Sequence, residues 1–585
     1  MEELSARTRA ANLEAMERTT LDVLVIGGGI VGAWIALTSA LRGHRTGLVE
    51  KGDFASGTSG KTSRLIHGGL RYLQQFRIGI VRQAARERDV LLRIAPRLVK
   101  PLTFLIPVYR RRGPKGWQLR FGLWLYDALS REKVLPGRRW VSRDEALQVE
   151  PRLDPNGLVR AALYSDAYAH DARLVMEVVK AAAKAGALVA NYARVSQLLR
   201  EPTAGTVPAL DPSRGLPRLT LLVREWTALR GARVEDLETG RTIDVRASAV
   251  VNASGAWSEG FQSTAERVRL RPTKGIHLFV PRERIGHERA VVLTTKDRRT
   301  VFVLPWGPLS LIGTTDTDYR GDKDRVEADR ADVDYLLEAV NAGFPGAGLA
   351  PRDIVSTYAG LRPLVDTGEA RESDISRKHE IHEDADGLIT VMGGKLTTAR
   401  AMAGEVLMRI EARPAMEKAR EGRLMTREEF RRLEAEPRSK SRVDTRSMRL
   451  ADPPAAEAVA RIVAAGASEE TAARLAEITA AGMALDEGLR RPGILRPLVP
   501  GQSVTELEIR YNARHEMALH LDDVMVRRSG LAYLMRDHGL HVAPMVAELM
   551  GEELGWDAEG RASEMARYRS WVEAMDRWRG EPSHG

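Results

Sequence analysis

The chain of 585 residues contains no cysteine. That excludes disulfides, cysteine zinc sites, cysteine-ligated iron–sulfur clusters and thiol catalysis, and it fits a cytoplasmic location. Residues 1–20 carry several charges and no apolar core, so they are not expected to be a secretory signal. Internal repeats are absent. Only one stretch approaches the length of a membrane span, Val23 to Leu41, and three consecutive glycines with Thr38 and Ser39 make it a poor membrane helix. A strong charge imbalance is missing too. The 89 Lys and Arg against 79 Asp and Glu leave a net +10. Over this length that is a mild bias, suited to anionic small substrates or an anionic membrane surface rather than nucleic acid. Gly393-Gly394-Lys395-Leu396-Thr397 lacks Walker A spacing, so it is not a P-loop. Nothing in the sequence calls for a metal.

What is there begins with Asp22 to Glu50. Val23 to Ile26 is a short apolar run of the kind buried in parallel sheets. Gly27, Gly29 and Gly32 then complete G-x-G-x-x-G. The first permits a tight turn, the second lets backbone approach a pyrophosphate, and the third lets helix and strand pack closely. A helix from about Ile30 to Leu41 presents its N-terminus to that pyrophosphate. The second strand, Arg45 to Val49, ends in Glu50, where a carboxylate meets a ribose 2′-hydroxyl and repels a 2′-phosphate. Strand, glycine turn, helix and acid together predict a dinucleotide site that disfavours NADP.

The length predicts two or three domains. A Gly/Ser/Thr-rich loop, Asp53 to Thr62, supplies small donors for wrapping a cofactor. Ile80 to Ala95 has the spacing of a surface helix. Basic residues at 110–115 lead into Trp117 to Asp127, the composition of an interfacial segment or of an ordinary amphipathic helix. Leu188 to Val195 and Ala247 to Val251 are expected strands, and Arg218 to Arg246 alternates like hairpins around Glu238-Thr239-Gly240. Residues 262–355 are strand-rich and suit a sheet that covers the cofactor. Further strands end at Gly360-Leu361-Arg362-Pro363 and at Gly393-Gly394-Lys395, the latter followed by a helix to about Ile410. The expected fold class is α/β. A Rossmann-like dinucleotide domain (18–75, 155–260, 355–412) is interleaved with a mixed β-sheet substrate or cap domain (76–154, 261–354). A linker at 413–454 leads to an all-helical domain at 455–585.

SGTSGKTSRLIHGGLRYL, GLRPL, ISRKHEI and GGKLTTAR, in that order, resemble the FAD-dependent glycerol-3-phosphate dehydrogenases. RYNARHE and LDDVMVRR resemble that family's helical C-terminal region. The resemblance implies FAD as cofactor and oxidation of sn-glycerol 3-phosphate to dihydroxyacetone phosphate, with hydride passing from C2 to FAD N5. It further implies a quinone acceptor, peripheral attachment to the cytoplasmic face of the membrane, and a homodimer. The alternatives left open are an oxidase that reduces O2 to peroxide and, further off, an amine or amino-acid oxidising flavoenzyme.

The same resemblance carries roles onto residues. Arg362, Arg377, Arg71 and Tyr72 match substrate positions, and several arginines suit a dianionic phosphate. Lys395 matches a lysine close to flavin and substrate, where a cation stabilises reduced flavin. The C2 hydroxyl proton needs a base, and histidine titrates near neutral pH. His67 and His277 are the candidates; the glycines beside His67 tilt the choice slightly toward it, without settling it. FAD contacts are expected from Gly27, Gly29, Gly32, Glu50, Thr58, Ser59, Ser63, Val195, Ala253, Gly255, Trp257, Gly394, Leu396 and Thr397. Gly60-Lys61-Thr62 departs from the Ser/Thr-rich loop expected there.

Overall fold

The computed structural model describes residues 4–75, 77–110, 116–129, 134–211, 218–262, 268–366, 368, 379–420, 444–454, 456–479, 491 and 493–582. Two sheets organise it. The first has a parallel core in the order Leu188–Ala190, Thr46–Val49, Leu21–Ile26, Thr242–Asn252 and Ile389–Met392, with Glu380–Glu383 antiparallel at its edge. Val23, Leu24 and Val25 are fully buried there, as an apolar run covered on both faces must be. The helices Ile30–Leu41, Asp171–Lys184 and Ala399–Arg420 pack on this sheet in one apolar cluster.

The second sheet is mixed. Leu270–Pro281 lies between Leu309–Gly313 and Ser356–Val365, and the sheet continues through Thr300–Trp306 and Ala290–Thr294 to Val99–Tyr109 and Leu158–Ala169. Two of these strands fall in ranges assigned from sequence to the dinucleotide domain. Leu158–Ala169 holds an antiparallel register with Val99–Tyr109, and buried and partly accessible positions alternate over its middle residues 162–166. Ser356–Val365 keeps a ten-residue register with Leu270–Pro281. Both therefore belong to the mixed sheet.

Other local expectations shift for physical reasons. The strand expected over Leu188 to Val195 is broken at Tyr192, whose φ of 48° turns the chain into a new strand, Ala193–Asp211. That strand pairs with Arg218–Asp236, which in turn pairs with the first half of Thr242–Asn252 around the turn at Gly240. The helix Ile78–Ile94 is not a surface helix. Glu87, Arg88 and Asp89 are buried, because Arg400 forks onto Glu87 and Arg88 reaches Asp166 at 2.7 Å. The helix expected to end near Ile410 continues to Arg420. The segment before the first strand forms a helix, Ala6–Arg18, with a capping box at Ser5 and Thr8. The C-terminal region is helical, and Asp523–Arg528 is a π-helical turn within it.

Candidate active site

The glycine turn is built as a cradle that side chains would fill. A Cβ on Gly32 would lie 1.9 Å from the Gly27 carbonyl oxygen, and Gly27 itself holds φ +111° against the Ala253 carbonyl. The Gly28 amide donates to Glu50 Oε2 at 2.6 Å, and Gly52 donates to Oε1 at 2.9 Å. Burial pushes the Glu50 carboxyl above its ordinary range, and these two amide bonds oppose the push. The 3-10 turn Thr58–Gly60 comes back over the helix start, where Ser59 Oγ accepts from the Ile30 amide at 3.0 Å. A hydroxyl acceptor at a helix N-terminus marks a place that favours anionic oxygen. Ala253 and Gly255 follow the end of Thr242–Asn252, beside the turn. The residues present thus fit a dinucleotide: a bare turn, a helix start that favours anionic oxygen and an acid at the strand end.

The loop from Asp53 onward links this cradle to the mixed sheet. Thr58 Oγ1 donates to the Leu361 carbonyl at 2.6 Å. Ser63 Oγ meets His277 Nε2 at 2.8 Å. Tyr358, opposite His277 in the sheet register, lies against it with ring centres 4.8 Å apart and tilted by 35°, and donates to the Thr62 carbonyl. His277 is 3% exposed, and Nδ1 has no hydrogen-bond partner among the described residues. Burial, then the Arg362 and Arg64 charges, hold this imidazole well below its ordinary pKa, so it is neutral.

Arg362 lies across Gly275 on the neighbouring strand, where a Cβ would come within 2.4 Å of Nη2. Its fork donates to Asp316 Oδ1 at 3.0 Å, Thr314 Oγ1 at 2.8 Å and the Thr315 carbonyl at 3.1 Å. The GGKLTTAR segment closes on the IHGGLRYL segment. The His67 amide donates to Thr397 Oγ1 at 3.2 Å, and the Lys395 ammonium sits 3.7 Å from the centre of the Tyr72 ring. Gly69, at φ +80°, has no room for a Cβ beside Tyr72 and Lys395. Behind this turn the Gly68 amide donates to Tyr126 Oη at 2.8 Å, and Tyr126 donates to Asp166.

The sequence-predicted residues thus gather in two linked places. Gly27, Gly29, Gly32, Glu50, Ser59, Ala253 and Gly255 frame the dinucleotide cradle. His67, Tyr72, His277, Arg362, Gly394, Lys395, Leu396 and Thr397 lie on the segments that meet at the mixed sheet. Trp257 packs near the loop, with the Lys51 ammonium 4.4 Å from its ring. Val195 pairs with Val234 in the hairpin, two residues past the Ala193 amide that donates to the Glu50 carbonyl. Arg377 and the side chain of Arg71 lie outside the described residues.

Three groups escaped the sequence reading. Thr314, Thr315 and Asp316 seat Arg362; polar residues directly after the apolar strand Leu309–Gly313 were the available signal. Tyr126 and Asp166 hold the Gly68 turn, yet Tyr126 sits in a segment whose aromatic composition points toward an interface. Asp53 receives Arg527 and Arg528 from nearly 500 residues away, and no local pattern signals that. Lys61, in the departing loop, packs against Gly360; burial, then Arg527, brings its amine down to about 8.

A family model described as FAD dependent oxidoreductase matches residues 22–409, and one described as the C-terminal domain of alpha-glycerophosphate oxidase matches 454–561. A glycerol-3-phosphate dehydrogenase of Mycobacterium leprae is 35% identical over 578 residues, covering 98% of this chain and 91% of its own. An alpha-glycerophosphate oxidase of Streptococcus pneumoniae is 31% identical and covers 98% of each chain. The solved glycerol-3-phosphate dehydrogenase from Bacillus halodurans, complexed with FAD, is similar at a TM-score of 0.74 and 26% identity, over 98% of each chain.

Proposed function

Because the chain belongs to the FAD dependent oxidoreductases that carry the C-terminal domain of alpha-glycerophosphate oxidase, we propose that it oxidises sn-glycerol 3-phosphate to dihydroxyacetone phosphate and delivers the electrons to a membrane quinone. The observation that carries the substrate reading is the placement of Arg362 and His277 on adjacent strands, close enough for the arginine charge to act on the imidazole, one a seated guanidinium fork and the other neutral. Arg362 binds the phosphate dianion. Gly27, Gly29, Gly32, Glu50 and Ser59 hold the adenosine diphosphate half of FAD, and bound FAD supplies the two-electron acceptor. His277 takes the C2 hydroxyl proton.

Burial is the main cause of the depressed imidazole; a phosphate on Arg362 offsets the arginine charge that adds to it, so substrate binding raises the basicity of His277. The depressed group is neutral above its pKa, and it stays neutral through the neutral range in the free enzyme. The acid limb of kcat therefore falls at higher pH than the acid limb of kcat/KM. Parallel profiles with one common limb near pH ~6.5, the ordinary histidine value, would remove His277 from the role and return His67 to it.

Support for a membrane acceptor comes from the helix Gly116–Leu129. Its buried face carries Leu119, Leu123 and Tyr126, whereas Trp117, Phe121 and Trp124 are 68%, 57% and 51% exposed. These three recur at helical spacing, with exposed Arg120 among them. Aromatics and a cation on one exposed face suit an anionic lipid surface. Among the described residues no helix is long and apolar enough to cross a membrane, so contact is peripheral on this reading. The Streptococcus relative keeps an oxygen-using reading in play. The test follows turnover with O2 and with a soluble quinone analogue, with and without anionic vesicles. Quinone reduction that vesicles stimulate, with little peroxide, is expected. Stoichiometric peroxide without quinone dependence would replace the quinone with oxygen.

A further inference from the structure

Asp53 is 1% exposed and sits in the loop that covers the glycine turn. Its carboxylate has two oxygens and four donors. Arg528 forks onto both oxygens at 2.7 and 2.9 Å, Arg527 Nε donates to Oδ2 at 2.6 Å, and Asn191 Nδ2 donates to Oδ1 at 3.2 Å. Burial alone would raise this carboxyl; Arg528 and Arg527 outweigh it and keep it charged. Both arginines come from the π-helical turn of the C-terminal region, and that turn is itself fixed. Arg527 also reaches Asp522 and Asp523, Arg528 donates to the Glu516 carbonyl, and Tyr192 donates to Asp523.

The two residues after Asp53 touch the cradle. Phe54 packs where a Cβ on Gly28 would lie, 2.6 Å from its ring, and the Ala55 amide donates to the Gly28 carbonyl at 3.1 Å. Ala55 holds φ +64°, a conformation that costs a non-glycine residue free energy and needs outside support. Four residues on, Ser59 occupies the helix start. One carboxylate thus stands between the C-terminal helices and the surface that meets the dinucleotide.

We propose that Asp53 is a positioning residue through which the Arg527–Arg528 pair sets the shape of the cofactor loop. Retention of FAD then depends on the C-terminal region, which contributes no residue to the cradle described above. The clamp acts on how fast FAD leaves, not on the chemical step.

The test uses the full-length holoenzyme with Asp53→Asn and, separately, Arg528→Lys. Arg528→Lys keeps the charge and loses the planar fork, so it decides the matter if Asp53→Asn does not fold. FAD release into flavin-free buffer is followed by flavin fluorescence well below the unfolding temperature, with far-UV circular dichroism as the check on fold. The clamp predicts release about tenfold faster or more from a folded variant, since a bidentate charged contact is lost. It also predicts full recovery of kcat when excess FAD is added. A purely structural role would lower the unfolding temperature and leave release below it unchanged. Wild-type release from folded Arg528→Lys would overturn the proposal, and so would a loss of kcat that excess FAD does not restore.

Discussion

Arg362→Met is expected to lower kcat/KM for glycerol 3-phosphate by about 10³, with FAD content unchanged. The magnitude follows from the contacts the fork can make. A charge-assisted hydrogen bond is worth about 1.5–3 kcal/mol, and two are lost together. At ~1.4 kcal/mol per factor of ten, that is on the order of 10² to 10⁴. The guanidinium is already seated by Asp316, Thr314 and Thr315, so little ordering remains when phosphate arrives. Methionine fills similar space across Gly275 but removes the Arg362 bond to Asp316, so Arg362→Lys is the companion variant. Lysine keeps the charge and lacks the fork, and it recovers only part of the loss. Glycerol, which has no phosphate, should be a poor substrate for the wild type and the variant alike. Steady-state kinetics with FAD occupancy measured in parallel checks this. A loss below about threefold, well under the energy of even one such bond, would take Arg362 out of the phosphate site.

Gly32→Ala is expected to yield protein without bound FAD. The added Cβ would lie 1.9 Å from the Gly27 carbonyl oxygen, far inside van der Waals contact, and the obstacle is backbone. No rotamer relieves it. The helix Ile30–Leu41 must lift off the strand Leu21–Ile26, which opens the turn and moves the helix start away from Ser59. Overpacking of this kind costs about 1–3 kcal/mol or more when only side chains must move, and here the backbone must move as well. Gly404→Ala is the control. It lies in the helix Ala399–Arg420, where a Cβ meets nothing within 4 Å. There alanine favours the helix by about 1 kcal/mol and FAD is retained. Absorbance of the two purified proteins separates the outcomes, and a fully yellow Gly32→Ala protein would contradict the cradle.

How much of this was legible in the sequence depends on whether the cause is local. Gly27 to Glu50 could be read because strand, turn, helix and acid are contiguous and each has a local physical reason. The contact between the HGGLRY and GGKLTT segments, and that between Thr58 and Leu361 of GLRPL, span more than three hundred residues, so only the family resemblance made them legible. The placement of Ser356–Val365 in the mixed sheet was not legible, because a short apolar strand looks alike in either sheet. The buried charges on Ile78–Ile94 misled for a related reason. Helical spacing marks Glu87 and Arg88 as outward-facing, and only the distant Arg400 and Asp166 make their burial possible. Asp53 belongs to the same class.

On the proposed function a phosphate-bearing alcohol delivers its electrons to FAD bound at Gly27 to Glu50. The most direct measurement is anaerobic. The purified protein is titrated without oxygen with glycerol 3-phosphate, and with glycerol as control, while the oxidised flavin band near ~450 nm is followed. Bleaching by the phosphate ester and not by glycerol is the expected result. A band that glycerol 3-phosphate leaves unchanged would contradict the account.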